Sequence, residues 1–293
     1  MKWIERDLRD TATGECPTHI HSTSNADVSA DASNEHWYIM TSIRIDPQLY
    51  DHLRTTRYYM LRYHQTRMQN AARCFGWHEA EKTLQGDEGS QNLVNALDTF
   101  VARSSDKEAM LTSTSYKLQV VVDRTGLFHV SASEVPKISI ANLYPKSLSA
   151  LDSSPGATAW RVFVSPVSTT PSMFTKHKTT HRGKYDEVRK YIPAWAVDAR
   201  DPGNKGTMPE ILLVNTQGEI MEGSITTPYF FRNGRWITPP AASGGNIGTT
   251  RRWALESGLC VEEVVNMRDV ETGESVWLSN GARGWALGTV TER

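Results

Sequence analysis

Cysteine is scarce in this chain: Cys16, Cys74 and Cys260 are odd in number and far apart. That spacing makes neither a disulfide framework nor a thiolate metal cluster, and it predicts a reducing, cytoplasmic setting. The nine histidines have no HExxH or CxxC companion, so no metal is expected. No apolar run approaches the length that spans a bilayer, and the polar opening MKWIERDLRD does not read as a secretory signal. Neither sign of charge is in excess, with 32 Lys plus Arg against 33 Asp plus Glu. This balance removes the electrostatic basis for nucleic acid or an anionic membrane as partner. No internal repeat is visible. What is present is an ordinary soluble, globular composition, 39% hydrophobic and 22% charged over 293 residues. That length can hold one large domain or two of usual size.

The apolar pattern divides the chain. Residues 1–36 end in a stretch rich in Ser, Asn, Asp and Ala, with little to bury, and predict a flexible segment. Residues 37–145 predict a small α/β domain. YIMTSIRID reads as a strand, and the run from Pro47 to Trp77 is mainly helical, with Leu53, Tyr58, Leu61, Met68, Ala72 and Phe75 at roughly helical spacing. Residues 88–105 predict another helix, and 116–132 two strands around Asp-Arg-Thr-Gly. A Pro/Ser-rich stretch over 134–159 predicts an interdomain linker, placed at 146–160. A larger domain then fills 161–293. In it WRVFVSPV, EILLVN, VEEVV and SVWLSN read as strands. YFF and RWIT flank Asn233-Gly234, a strong two-residue hairpin signal.

Several residues could carry chemistry, although each alone favours a plainer reading. Lys178, in HKTTHR, stands where a lysine could form a Schiff base if burial lowered its pKa; a solvated lysine is commoner. Gly248-Thr249-Thr250 opens a predicted helix and could cradle a phosphate on free N–H groups, or be a simple cap. Arg67, on the early helix, could grip a phosphate or merely face solvent. Asn280 and Gly281 end a strand where a backbone could approach a ligand, or simply turn.

Their order is more specific than any one of them. HKTTHR, EILLVNTQGEIMEGSITTPYFFRNGRWITPP, GTTRRWALESGL and VWLSNGARGW follow one another over residues 172–290, with YHQTRMQNAA upstream. This series resembles the class IV aminotransferases, the fold-type IV enzymes that use pyridoxal 5'-phosphate. The resemblance implies an α/β (α+β) two-domain fold, with a smaller N-terminal α/β domain and a larger β-barrel-like domain with helices. It also implies a homodimer. It makes Lys178 the Schiff-base and catalytic lysine and Glu222 the carboxylate beside the pyridine nitrogen. Arg67, Gly248, Thr249, Thr250, Asn280 and Gly281 would lie on the phosphate side, with Ile247 against the ring in place of the family's usual leucine. The pattern Lys178-x-x-His181-Arg182 is nearest the family's lyase branch, and the chain as a whole most resembles the fungal lyases. That branch implies release of pyruvate from 4-amino-4-deoxychorismate to leave 4-aminobenzoate, a folate precursor. The alternative is an aminotransferase acting on a branched-chain amino acid, a D-amino acid or an amine. Arg161, His181, Arg182 and Arg283 are the candidates for substrate binding, and residues 193–208 are expected to form an inserted loop.

Overall fold

In the computed structural model, residues 36–53, 55–148, 160–198 and 208–291 are described. The expectation for residues 1–36 falls almost wholly outside them, as do most of the proposed linker and residues 199–207 of the expected insertion.

Strand β1 (Ile39–Ile45) is followed by α1 (Pro47–Leu53), α2 (Leu61–Cys74), α3 (His78–Thr83), α4 (Gly86–Arg103) and α5 (Lys107–Thr112). Strands β2 (Tyr116–Val122) and β3 (Phe128–Glu134) complete an antiparallel sheet in the order β1-β2-β3. Alternation along β2 is strict: Tyr116, Leu118, Val120 and Val122 are buried, and the residues between are less so. The buried side packs with Met68, Ala72, Leu93, Leu97 and Val101 of the helices into one apolar core. Lys117 and Gln119 therefore point to the other face.

Helix α6 (Ile140–Leu143) lies within the Pro/Ser-rich stretch, where Leu143 is fully buried beside Leu49, Tyr59 and Met60. Beyond it come β4 (Trp160–Ser168), α7 (Met173–Lys176), α8 (Gly183–Arg189), α9 (Ala194–Val197), β5 (Glu210–Val214), β6 (Ile220–Gly223), β7 (Thr227–Arg232), β8 (Arg235–Thr238), α10 (Thr249–Glu256), β9 (Val261–Glu262), β10 (Ser275–Asn280) and β11 (Gly284–Val290). The eight later strands form one curled, half-barrel sheet in the order β6-β5-β4-β11-β10-β7-β8-β9. Asn233 and Gly234 both have positive φ, 51° and 77°, as a tight β7–β8 hairpin requires. Two strand expectations change. VEEVV pairs only through Val261 and Glu262, at the sheet edge beside β8. The run after Gly284, not read as a strand, becomes β11 because β4 and β10 hydrogen-bond to it from both sides.

The two sheets meet along β1. One of its edges pairs with β2, and the other serves the larger sheet's segments. Met40 N–H donates to Lys178 O at 2.9 Å, Thr180 N–H to Tyr38 O at 2.9 Å, and Arg44 N–H to Gly281 O at 3.1 Å. One strand thereby fixes the backbone of two distant site segments. Among the described residues no helix is long and apolar enough to cross a membrane.

Candidate active site

Lys178 sits in the extended segment after α7, its backbone held by β1. It is partly buried, and among the described residues its amine makes no hydrogen bond or ion pair. Its pKa falls from 10.5 to about 7, first because burial disfavours the ammonium, then because Arg182 and Arg67 repel it; Glu222 partly offsets this. The plain reading of a solvated lysine therefore does not hold.

Glu222 lies on β6, opposite Leu213 of β5, and is buried. Its Oε1 accepts from Tyr185 Oη at 2.5 Å and from Asn246 N–H at 2.9 Å. Burial lifts its pKa from 4.5 to about 7, and these two donors, then Lys178 and Arg182, hold it from rising further. Tyr185 reaches Glu222 from the exit of the lysine segment, on α8, and also donates toward Thr175 O at 3.0 Å. Asn246, in the position next to Ile247, contributes its backbone N–H to Glu222.

The helix segment from His64 to Arg67 packs against β1. Thr41 Oγ1 bonds His64 Nδ1 at 2.6 Å and accepts from Arg67 Nη2. Arg67 Nε and His64 Nε2 are buried without a partner. Desolvation comes first in lowering both, Arg67 to about 10 and His64 well below 6.5, where the imidazole is neutral. His64 also explains Gly281, because a Cβ there would lie 2.4 Å from its Cε1. Asn280 serves the same turn: its Oδ1 accepts from Ala282 N–H and Arg283 N–H, and its Nδ2 donates to Ile225 O.

Helix α10 begins at Thr249 with Gly248 as N-cap, and no side chain caps it. Thr249 Oγ1 is buried and unpartnered, whereas Thr250 Oγ1 accepts from Ser279 Oγ at 2.7 Å. Ahead of this helix is a cavity of about 40 Å³, lined by Arg67, Lys176, Ile247, Gly248, Thr249 and Arg252 among others. Three cations, uncapped N–H groups and an orphaned hydroxyl make it an anion site in chemical terms. Lys176 and Arg252 were not singled out from the sequence, since a lysine and an arginine in polar contexts carry no signal of where they fold.

The substrate-binding candidates are placed variously. Arg182 Nη2 donates to Ser224 O at 2.9 Å and lies 4.7 Å over the Tyr185 ring, beside Glu222. The His181 ring stacks 4.2 Å from Phe174. Arg161, on β4, lies 5.0 Å over Trp195. Arg283 follows the Asn280 turn.

The raised pKa of Glu222 has a measurable consequence in the cofactor-free protein. Between pH 4.5 and about 7 the unfolded chain has lost this proton and the folded chain keeps it. This group therefore lowers stability as pH rises through that window, by a few kcal/mol in all. Glutamine does not ionise. The Glu222→Gln apoprotein should gain thermal stability relative to the parent from pH 4.5 to 7 and hold a constant difference above it. A difference in melting temperature that is flat with pH would contradict a buried, protonated Glu222.

The sequence pattern of the family described as Amino-transferase class IV matches residues 48–287. The chain is 29% identical to the aminodeoxychorismate lyase of Saccharomyces cerevisiae over 218 residues, which are 68% of this chain and 58% of the yeast protein. It thus spans roughly half the length of the curated relatives it matches. Among solved structures it is similar to an aminotransferase of Mycobacterium tuberculosis bound to α-ketoglutarate and PMP, with TM-score 0.55 and 15% identity, covering 90% of this chain and 83% of the other. It is also similar to the Escherichia coli branched-chain amino acid aminotransferase, with TM-score 0.54 and 16% identity, covering 88% and 78%. At these identities the two structures speak for the fold.

Proposed function

The chain belongs to the amino-transferase class IV family, and from that premise we propose that it is a pyridoxal-phosphate-dependent lyase converting 4-amino-4-deoxychorismate to 4-aminobenzoate and pyruvate. The observation that carries the substrate is the similarity to the yeast lyase. A homodimer in the cytoplasm completes this reading, as does a division into a small domain over 37–145 and a large one over 161–293.

The residues present suit the cofactor. Lys178 offers an amine of which a substantial fraction is unprotonated at neutral pH for its aldehyde carbon. Glu222 is a buried carboxyl with one oxygen fixed by Tyr185 and Asn246, suited to the ring nitrogen. Arg67, Thr249 and the start of α10 suit its phosphate, because Arg67 Nε and Thr249 Oγ1 are buried and unpartnered and no side chain caps the helix. When bound, the cofactor supplies an electron sink for the charge left on the carbon that loses its proton.

The chain's own groups do the rest. Lys178, with a pKa near neutrality, can take the proton from the amine-bearing carbon and later give one to the departing enolpyruvyl methylene. Once that proton is lost, breaking the bond from the neighbouring ring carbon to the enolpyruvyl oxygen makes the ring aromatic, which favours release of pyruvate. The cations around the cleft favour a substrate that carries negative charge.

The test supplies the purified, cofactor-loaded protein with enzymatically made 4-amino-4-deoxychorismate. Appearance of 4-aminobenzoate fluorescence, with equal pyruvate, is the expected result. The same protein is given branched-chain amino acids, D-alanine or an aryl amine with a keto acid. Amino-group transfer to the keto acid without 4-aminobenzoate formation would overturn the lyase assignment in favour of an aminotransferase.

A further inference from the structure

We propose that Lys117 and Arg283 together form a carboxylate-binding subsite for the substrate, a reading that rests on the lyase assignment and names where the substrate's charge is held. Lys117 stands on β2 opposite Arg44 of β1, on the face turned away from the helices. Arg283 leaves the turn that follows β10, its N–H held by Asn280 Oδ1 at 2.8 Å. Arg44 brings the two together. Its N–H donates to Gly281 O, its Nη1 to Ala282 O at 3.3 Å and its Nη2 to Pro136 O at 3.0 Å. Arg44 is fully buried, and its charge is answered by Asp46 at 2.8 Å. It is therefore the bolt between the sheets, with no charge to spare for a ligand.

Lys117 and Arg283 differ from it in this respect. Both are partly buried, and among the described residues neither has a carboxylate partner. Burial, then the charge of Arg283, lowers the pKa of Lys117; burial, then Arg44, lowers that of Arg283. Lys117 in turn is one of the charges that depress Lys178, so Lys117 stands within electrostatic reach of the amine. Two partly desolvated cations held in each other's field, with no counter-ion from the chain, are unfavourable unless an anion joins them. A carboxylate, with two acceptor oxygens, can take a donor from each. The proposed substrate carries two carboxylates, one on the ring and one on the enolpyruvyl arm, and each survives on one product.

The test separates these sources. 4-Aminobenzoate, pyruvate and the neutral control 4-aminobenzamide are titrated into the cofactor-loaded wild type, Lys117→Met, Arg283→Gln and Lys117→Arg, by calorimetry. We expect one of the two acids to bind the wild type and to weaken about 10-fold or more in each charge-removing variant, with partial recovery in Lys117→Arg. Binding of the amide should not change. KM should rise by a similar factor while kcat changes less, and cofactor absorbance should be retained. The subsite is overturned if neither acid binds the wild type, if acid binding is unchanged in the variants, or if amide binding falls equally. Carboxylate binding that depends on both residues in a protein making no 4-aminobenzoate would leave the subsite standing and remove the lyase assignment.

Discussion

Replacing Lys178 by alanine is expected to lower turnover by about 10³-fold or more and to abolish reductive trapping of the cofactor. Proton transfer by a positioned side chain contributes about 10² to 10⁴ in rate, and in the proposed role the same amine also anchors the cofactor. The environment explains why this lysine and not a neighbour has that capacity. Burial first, then Arg182 and Arg67, bring its pKa to about 7, so that at neutral pH both protonation states are well populated. Lys176 lines the anion cavity instead, and Lys184 lies in the first turn of α8. Borohydride treatment of the yellow, loaded protein followed by peptide mapping should place the label on Lys178. A label on Lys176 or Lys184, or an alanine variant that turns over at the parent rate, would disprove this assignment. The fold should survive, because the backbone of Lys178 and not its amine makes the bond to Met40.

The second large effect is expected at Glu222. Glutamine keeps the size of the side chain, and its carbonyl oxygen can still accept from Tyr185 Oη and Asn246 N–H. What is lost is the carboxyl that, in the proposed role, carries charge beside the cofactor's ring nitrogen. A neutral ring accepts electrons less well, so the proton-abstraction step should slow by about 10²-fold, or roughly 2.7 kcal/mol of barrier. The measurement is single-turnover kinetics with cofactor occupancy matched by absorbance. A fully loaded Glu222→Gln protein working at the parent rate would show that the carboxylate takes no part in the chemistry. A loss of occupancy instead of rate would make Glu222 a holding residue only.

Much of this was legible in the linear chain, and for local reasons. The Asn233-Gly234 turn, the alternation of β2 and the helix over 86–103 are properties of residues close in sequence. The order of the blocks around Lys178, Glu222, Gly248-Thr249 and Asn280-Gly281 is likewise a property of the string, and it pointed to the family before any contact was known. The strand from Gly284 is not legible in the sequence because its stability comes from β4 and β10 on either side, not from its own glycine-containing sequence.

Other features belong to the tertiary structure alone. Whether Lys178 is an ordinary lysine or a near-neutral amine depends on desolvation and on Arg182, Arg67 and Lys117, which approach from different elements. That Tyr185 fixes Glu222, that Asn280 braces a turn, and that Arg44 is spent on Asp46 while Lys117 and Arg283 are not, are all outcomes of pairing between distant segments. The sequence by itself determined which chemical groups the chain carries and in what order. Only the fold decided which of them are buried, which are neutralised, and which charge is left facing the cleft, because burial and electrostatic field are set by neighbours in space.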